Sequence, residues 1–171
     1  MNSDFFKYGF LLLLLPLLQV GIFNNIDFMG YINPYLYLIF VFVFPFYKDK
    51  SLLLISSFLL GLFVDFLTND GGIHAFSLVF IAYIRLFVFQ LILRKTDSDL
   101  ENLNVRNLAF FNLFLWVLIL TVIHHFILFS LEQFSFEQFE GLLLKTFLTS
   151  TFSVVLIIFG LLLFLKKRSN A

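Results

Sequence analysis

Hydrophobic positions along this chain gather into six long apolar runs separated by short polar gaps. The runs cover approximately 6–23, 31–47, 51–67, 73–93, 107–131 and 141–165. A run of about 20 apolar residues crosses a ~30 Å hydrocarbon core as a helix. The pattern therefore predicts an all-α integral membrane protein with six transmembrane helices. Runs two and three are the shortest, at about 17 residues each, and would span only ~25 Å as straight helices.

Local punctuation refines these elements. Asn33-Pro34 reads as a helix start, because proline is tolerated where its missing N–H is not needed. Only a short helix then fits before Pro45, and its outer part must be irregular or buried by neighbours. Pro16 is expected to kink the first helix. Gly71-Gly72 permits a tight turn between helices three and four. The stretch Glu132 to Glu140, with Phe134, Phe136 and Phe139 among polar residues, reads as a segment lying in the membrane interface. Thr96 to Val105 is polar and acidic and reads as a solvated loop. The chain is a single polytopic domain, 1–171, with no room for a second.

Charge orients the bundle. Nine of the 11 Lys and Arg residues occupy every second gap: Lys7, Lys48, Lys50, Arg94, Lys95, Arg106, Lys166, Lys167 and Arg168. The gaps near 24–30, 68–72 and 132–140 hold none. The positive-inside rule then expects an N-in/C-in arrangement, with both termini cytoplasmic.

Composition adds exclusions. The chain is 61% hydrophobic and 13% charged, with mean hydropathy +1.00, more apolar surface than a soluble domain of this size hides. No basic face suits nucleic acid. With no cysteine there is no disulfide framework and no thiol chemistry. Run one lacks a small-residue cleavage site and is expected to be a retained helix rather than a signal peptide. The 28 Phe residues read as codon bias and lipid-facing surface.

Polar residues inside the runs are the functional candidates, because lipid makes them costly. Ser57, Gly61 and Asp65 recur every four residues on one stripe. Ser57 and Gly61 form a small-xxx-small pair that favours close helix packing. Asp65 is expected to face protein; the competing reading is a carboxylate hydrated at the headgroups. His74 and Arg85 share a stripe of helix four. Arg85 either snorkels to the cytoplasm or bonds backbone or a partner. Lys145 lies at about the depth of Asp65, and an Asp65–Lys145 ion pair is expected to neutralise both. Gln19, His124 and His125 complete a polar cluster in the outer half. Metal binding or proton relay by Asp65, His74 and His124 or His125 has little motif support: there is no HExxH and no His-x₃-His. No metal, no cofactor and no catalytic residue is expected.

The stretch Leu59 to Ala75, with Gly61, Leu62, Asp65, Gly72 and His74, resembles the central signature of the rod shape-determining protein MreD family. Phe23-Asn24-Asn25 followed by Gly30 to Tyr35 resembles its Bacteroidota version. The resemblance spans the chain in length, helix number and basic C-terminus. It implies a non-catalytic scaffold or regulator of the bacterial rod complex in the inner membrane. The implied partner is MreC, with MreB, a SEDS glycosyltransferase and a class B penicillin-binding transpeptidase reached indirectly. Gly61, Asp65, Gly72, His74, Arg85 and Lys145 would then be structural or partner-binding positions. The family is also similar in fold to the S component of energy-coupling-factor transporters, whose small-molecule-binding role is the alternative. Run one, from Leu11 to Gln19, lacks the small-residue seam that such a subunit uses.

Overall fold

A computed structural model describes residues 2–28, 32–45, 49–94, 105, 108–134 and 139–164. Their helices are α1 (Asn2–Gly21), α2 (Ile39–Val43), α3 (Lys50–Thr68), α4 (Ile73–Leu93), α5 (Phe110–Gln133) and α6 (Phe139–Phe164). Two 3₁₀ turns, Phe23–Asn25 and Leu36–Leu38, lie between α1 and α2. No strand occurs among the described residues beyond an isolated bridge between Phe28 and Ile32. All of these helices except α2 are long and apolar enough to cross a membrane, which is the architecture of a multi-pass membrane protein.

Five of the expected runs form helices with ends within a few residues of those read from sequence. The second does not. Where a helix over 31–47 is expected, the described residues 32–45 hold one 3₁₀ turn and a five-residue α2. The reason is local. Asn33 is tied to Asp27 by two hydrogen bonds, Asp27 N–H to Asn33 Oδ1 and Asn33 Nδ2 to Asp27 Oδ1. Phe44 is extended (φ −66°, ψ 127°) ahead of Pro45, as the proline ring requires of the residue before it. The helix has space only between these two points.

This segment is nevertheless the centre of the molecule. Tyr37, Leu38, Ile39, Phe40, Val41 and Phe42 are all buried. Pro34 lies at the Gln19 level of α1, and the Phe44 ring packs on Tyr8 at 5.1 Å. The segment therefore returns along α1 in the opposite direction. Phe42 and Phe89 both pack edge-on to Trp116 of α5 at 5.1 Å. Irregular backbone survives here because protein, not lipid, surrounds it. Gln19 supplies the missing partners: its Oε1 accepts Leu36 N–H and its Nε2 donates to the Pro34 carbonyl.

The outer surface is apolar. Phe6, Phe10, Phe66, Phe87, Phe111, Phe147 and Phe159 are exposed, as expected of lipid-facing positions. α1 runs through Pro16 without a break in the helix. Most of Thr96–Val105 lies outside the described residues. So do Phe136 and its neighbours in the expected interfacial segment, which is bounded by α5 ending at Gln133 and α6 starting at Phe139.

Candidate functional site: a helix clamp and a polar chain at one end of the bundle

Gly61 and Asp65 fasten α3 to the start of α4. A Cβ added at Gly61 would lie 2.5 Å from Ala75 Cα and 2.8 Å from the His74 carbonyl oxygen. Only glycine allows the two backbones that close. One turn on, the Asp65 carboxylate accepts His74 N–H through Oδ1 at 2.9 Å and Ala75 N–H through Oδ2 at 2.8 Å. Those amides belong to the first turn of α4, where no intrahelical carbonyl is available. The residue at the N-cap position is Gly72, with φ +98°, which has no side chain to cap with. Asp65 therefore caps α4 from the preceding helix, and its negative charge sits at the positive end of the helix dipole.

The turn itself is built for this. α3 is closed after Thr68 by Asn69 in the left-handed region (φ 62°), with Asn69 N–H and Asp70 N–H both donating to the Asp65 carbonyl. Gly71 and Gly72 both take positive φ, which an L side chain resists. Gly61, Asp65, Gly72 and His74 thus act together through local geometry.

From this clamp a chain of hydrogen bonds enters the bundle. His74 Nε2 lies 3.1 Å from Asp70 Oδ2, and His74 Nδ1 lies 2.9 Å from Tyr37 Oη. Tyr37 Oη lies 3.0 Å from His124 Nε2. Asp70 is partly exposed, whereas Tyr37 and His124 are fully buried. The hydrogen bond from His74 holds the Asp70 carboxyl below the usual carboxylate range. Tyr35 packs against the same groups, its ring 5.8 Å from His74 and 5.1 Å from His125, and its N–H donates to Ser153 Oγ of α6. His125 Nδ1 lies 3.0 Å from Ser150 Oγ.

Arg85 lies away from this cluster, eleven residues or about 16 Å along α4 from His74. It is buried and does not snorkel. Its Nη1 donates to the carbonyls of Val41 and Phe44, and its Nη2 to that of Pro45. These belong to the C-terminal end of α2, which leaves unpaired carbonyls and a partial negative charge. Its own carbonyl accepts Trp116 Nε1–H.

Lys145 does not meet Asp65. Its Nζ donates to Glu132 Oε2 at 2.8 Å and lies over the Phe129 ring at 4.3 Å. Asp65 is committed instead to backbone amides, so the expected ion pair is replaced by a helix cap and a separate, part-exposed pair. Among the described residues no three His, Asp or Glu side chains converge as metal ligands. Several buried polar atoms have no hydrogen-bond partner among the described residues, including His124 Nδ1, His125 Nε2, Ser57 Oγ, Thr121 Oγ1 and Thr149 Oγ1.

The structure brings Gly61, Asp65, Gly72 and His74 together and leaves Arg85 and Lys145 apart. Sequence reading missed Tyr35 and Tyr37. The available signal was a tyrosine hydroxyl inside an apolar run, which must find a partner when buried. No family model, curated protein or solved structure matches the chain.

Proposed function

We propose that this chain is a non-catalytic membrane scaffold of the bacterial rod complex, a protein of the MreD type that associates with MreC in the inner membrane. The observation that carries the reading is the α3–α4 clamp. The residues that resemble the family signature, Gly61, Asp65, Gly72 and His74, make one continuous structural unit. Their polar atoms are used in holding helices, which suits a scaffold better than a catalyst. The proposal includes six crossings with both termini cytoplasmic. In its favour, the segment 34–44 runs antiparallel to α1, and the described Lys7, Lys50 and Arg94 lie at helix ends opposite to Asp65, Asp70 and Glu132.

A vitamin-binding subunit is the rival role. It needs an open outer pocket, and here the Tyr35 ring packs between His74, His125 and Phe129. The deciding experiment is a detergent pull-down of the tagged full chain from its native cell, read by mass spectrometry for proteins and small molecules. Recovery of MreC with the cell-wall synthases is the expected outcome. Recovery of transport ATPase subunits, or of a stoichiometric vitamin, would overturn the scaffold role.

A further inference from the structure

The polar chain from Asp70 to His124 has a consistent direction. A carboxylate only accepts, so His74 donates to it through Nε2–H. Neutral His74 then presents Nδ1 as an acceptor, and Tyr37 Oη–H donates to it. Tyr37 Oη in turn accepts the remaining donor, His124 Nε2–H. All three donations run toward Asp70. At the inner end, His124 Nδ1 is a fully buried lone pair with no hydrogen-bond partner among the described residues.

We infer that Asp70, His74, Tyr37 and His124 form a proton-binding site in which uptake of one proton reverses the two donations at Tyr37, leaves His74 donating to Asp70, and moves the hydrogen of His124 from Nε2 to Nδ1. The balance is simple. One proton, delivered from hydronium with water left behind, bonds to His124 Nδ1. The His124 Nε2–H bond breaks as its proton passes to Tyr37 Oη, and the original Tyr37 O–H bond breaks as its proton passes to His74 Nδ1. No electrons enter or leave. The product holds neutral His124 with Nδ1–H, neutral Tyr37 donating to His124 Nε2, and an imidazolium at His74.

The charge settles at His74 for electrostatic reasons. Around His74 stand Asp65 and Asp70 from α3 and the α3–α4 turn, Tyr35 and Tyr37 from the segment before α2, and His124 and His125 from α5. The Glu132–Lys145 pair lies farther out, beside Phe129 and Tyr35. An imidazolium at His74 has a carboxylate oxygen 3.1 Å away. One at His124 would face Tyr37, Tyr35 and the His125 ring, none of them an anion. Asp70 keeps its charge into mild acid because the His74 hydrogen bond favours the ionised form. Tyr37 is the coupling element, since a hydroxyl donates one hydrogen and cannot donate to both imidazoles.

The test is histidine ¹⁵N NMR on the full chain in lipid nanodiscs, titrated from about pH 8 to about pH 5, the range in which histidine changes charge. At the alkaline end His124 should be neutral with hydrogen on Nε2. At the acid end His74 should be doubly protonated and His124 neutral with hydrogen on Nδ1, both changes sharing one midpoint. In Tyr37→Phe, His74 should still titrate while His124 stays in one tautomer. In Asp70→Asn, a change at a partly exposed side chain, both changes should move together to lower pH. The proposal is overturned if His124 keeps Nε2–H throughout, if it becomes an imidazolium, or if His74 never titrates. A switch that persists in Tyr37→Phe overturns it too. Should Tyr37→Phe fail to fold, Asp70→Asn decides alone: movement of one midpoint without the other rejects the coupling.

Discussion

At the scale of single residues, the most constrained positions are Gly61 and Asp65. The atoms facing Gly61 are backbone, so no rotamer change makes space for a larger residue. Gly61→Ala is expected to cost about 1–3 kcal/mol through overpacking, and Gly61→Leu more. Thermal melting in lipid-supplemented detergent reads this directly, and an unchanged melting temperature would reject the close-approach argument. Asp65→Leu leaves the His74 and Ala75 amides without an acceptor. Each stranded buried donor costs about 1–3 kcal/mol. Asp65→Asn keeps one acceptor oxygen and should fall between the two. Insertion should survive while melting temperature declines, and, on the proposed role, rod growth with it. A Leu variant with wild-type stability and cell shape would show that the cap is dispensable. Both residues were legible from their four-residue spacing. The partner of Asp65 was not. Depth along a helix narrows the candidates for an ion pair, but the direction in which each side chain points depends on how the helices are rotated. Lys145 accordingly pairs with Glu132 instead.

At the scale of elements, α2 shows how an apolar run misleads. Run length reports how much chain avoids water, not how much of it is helical. Residues 32–45 of this run are apolar because they are wrapped by other helices, and their backbone is irregular because Asn33, Pro34 and Pro45 limit the helix. Those residues, and the need for neighbours to bury an irregular outer part, were readable in advance; which helices do the burying was not. Arg85 completes α2 by donating to the Val41, Phe44 and Pro45 carbonyls. Lysine carries a point charge without the guanidinium fork and cannot reproduce this pattern. Arg85→Lys is expected to cost about 1–3 kcal/mol through unpaired carbonyls, and Arg85→Met more. Hydrogen exchange over residues 36–45 should accelerate in both variants. Protection equal to wild type would mean that α2 holds its end without the arginine.

At the scale of the whole molecule, the alternation of basic and non-basic gaps becomes a statement about two ends. The absence of cysteine makes this easy to examine, because every introduced thiol is unique. With a membrane-impermeant maleimide on intact spheroplasts, Asp70→Cys and Glu132→Cys are expected to label directly. Lys50→Cys and Arg94→Cys should label only after permeabilisation. Labelling of all four from one side would refute the six-crossing arrangement, and the inverse pattern would refute the orientation.

From sequence alone follow the all-helical membrane architecture, the bounds of five long helices, the shared stripe of Gly61 and Asp65, and the Gly71-Gly72 turn. Each rests on short-range physics: hydropathy over a run, helical spacing, and the backbone freedom of glycine. Only tertiary structure decided that Asp65 caps α4, that Arg85 serves α2, that Lys145 pairs with Glu132, and that Tyr37 joins His74 to His124. Those contacts join residues distant along the chain, in the last case 37 and 87 positions apart. They depend on the rotation and register of packed helices, which the energetics of no single segment determines.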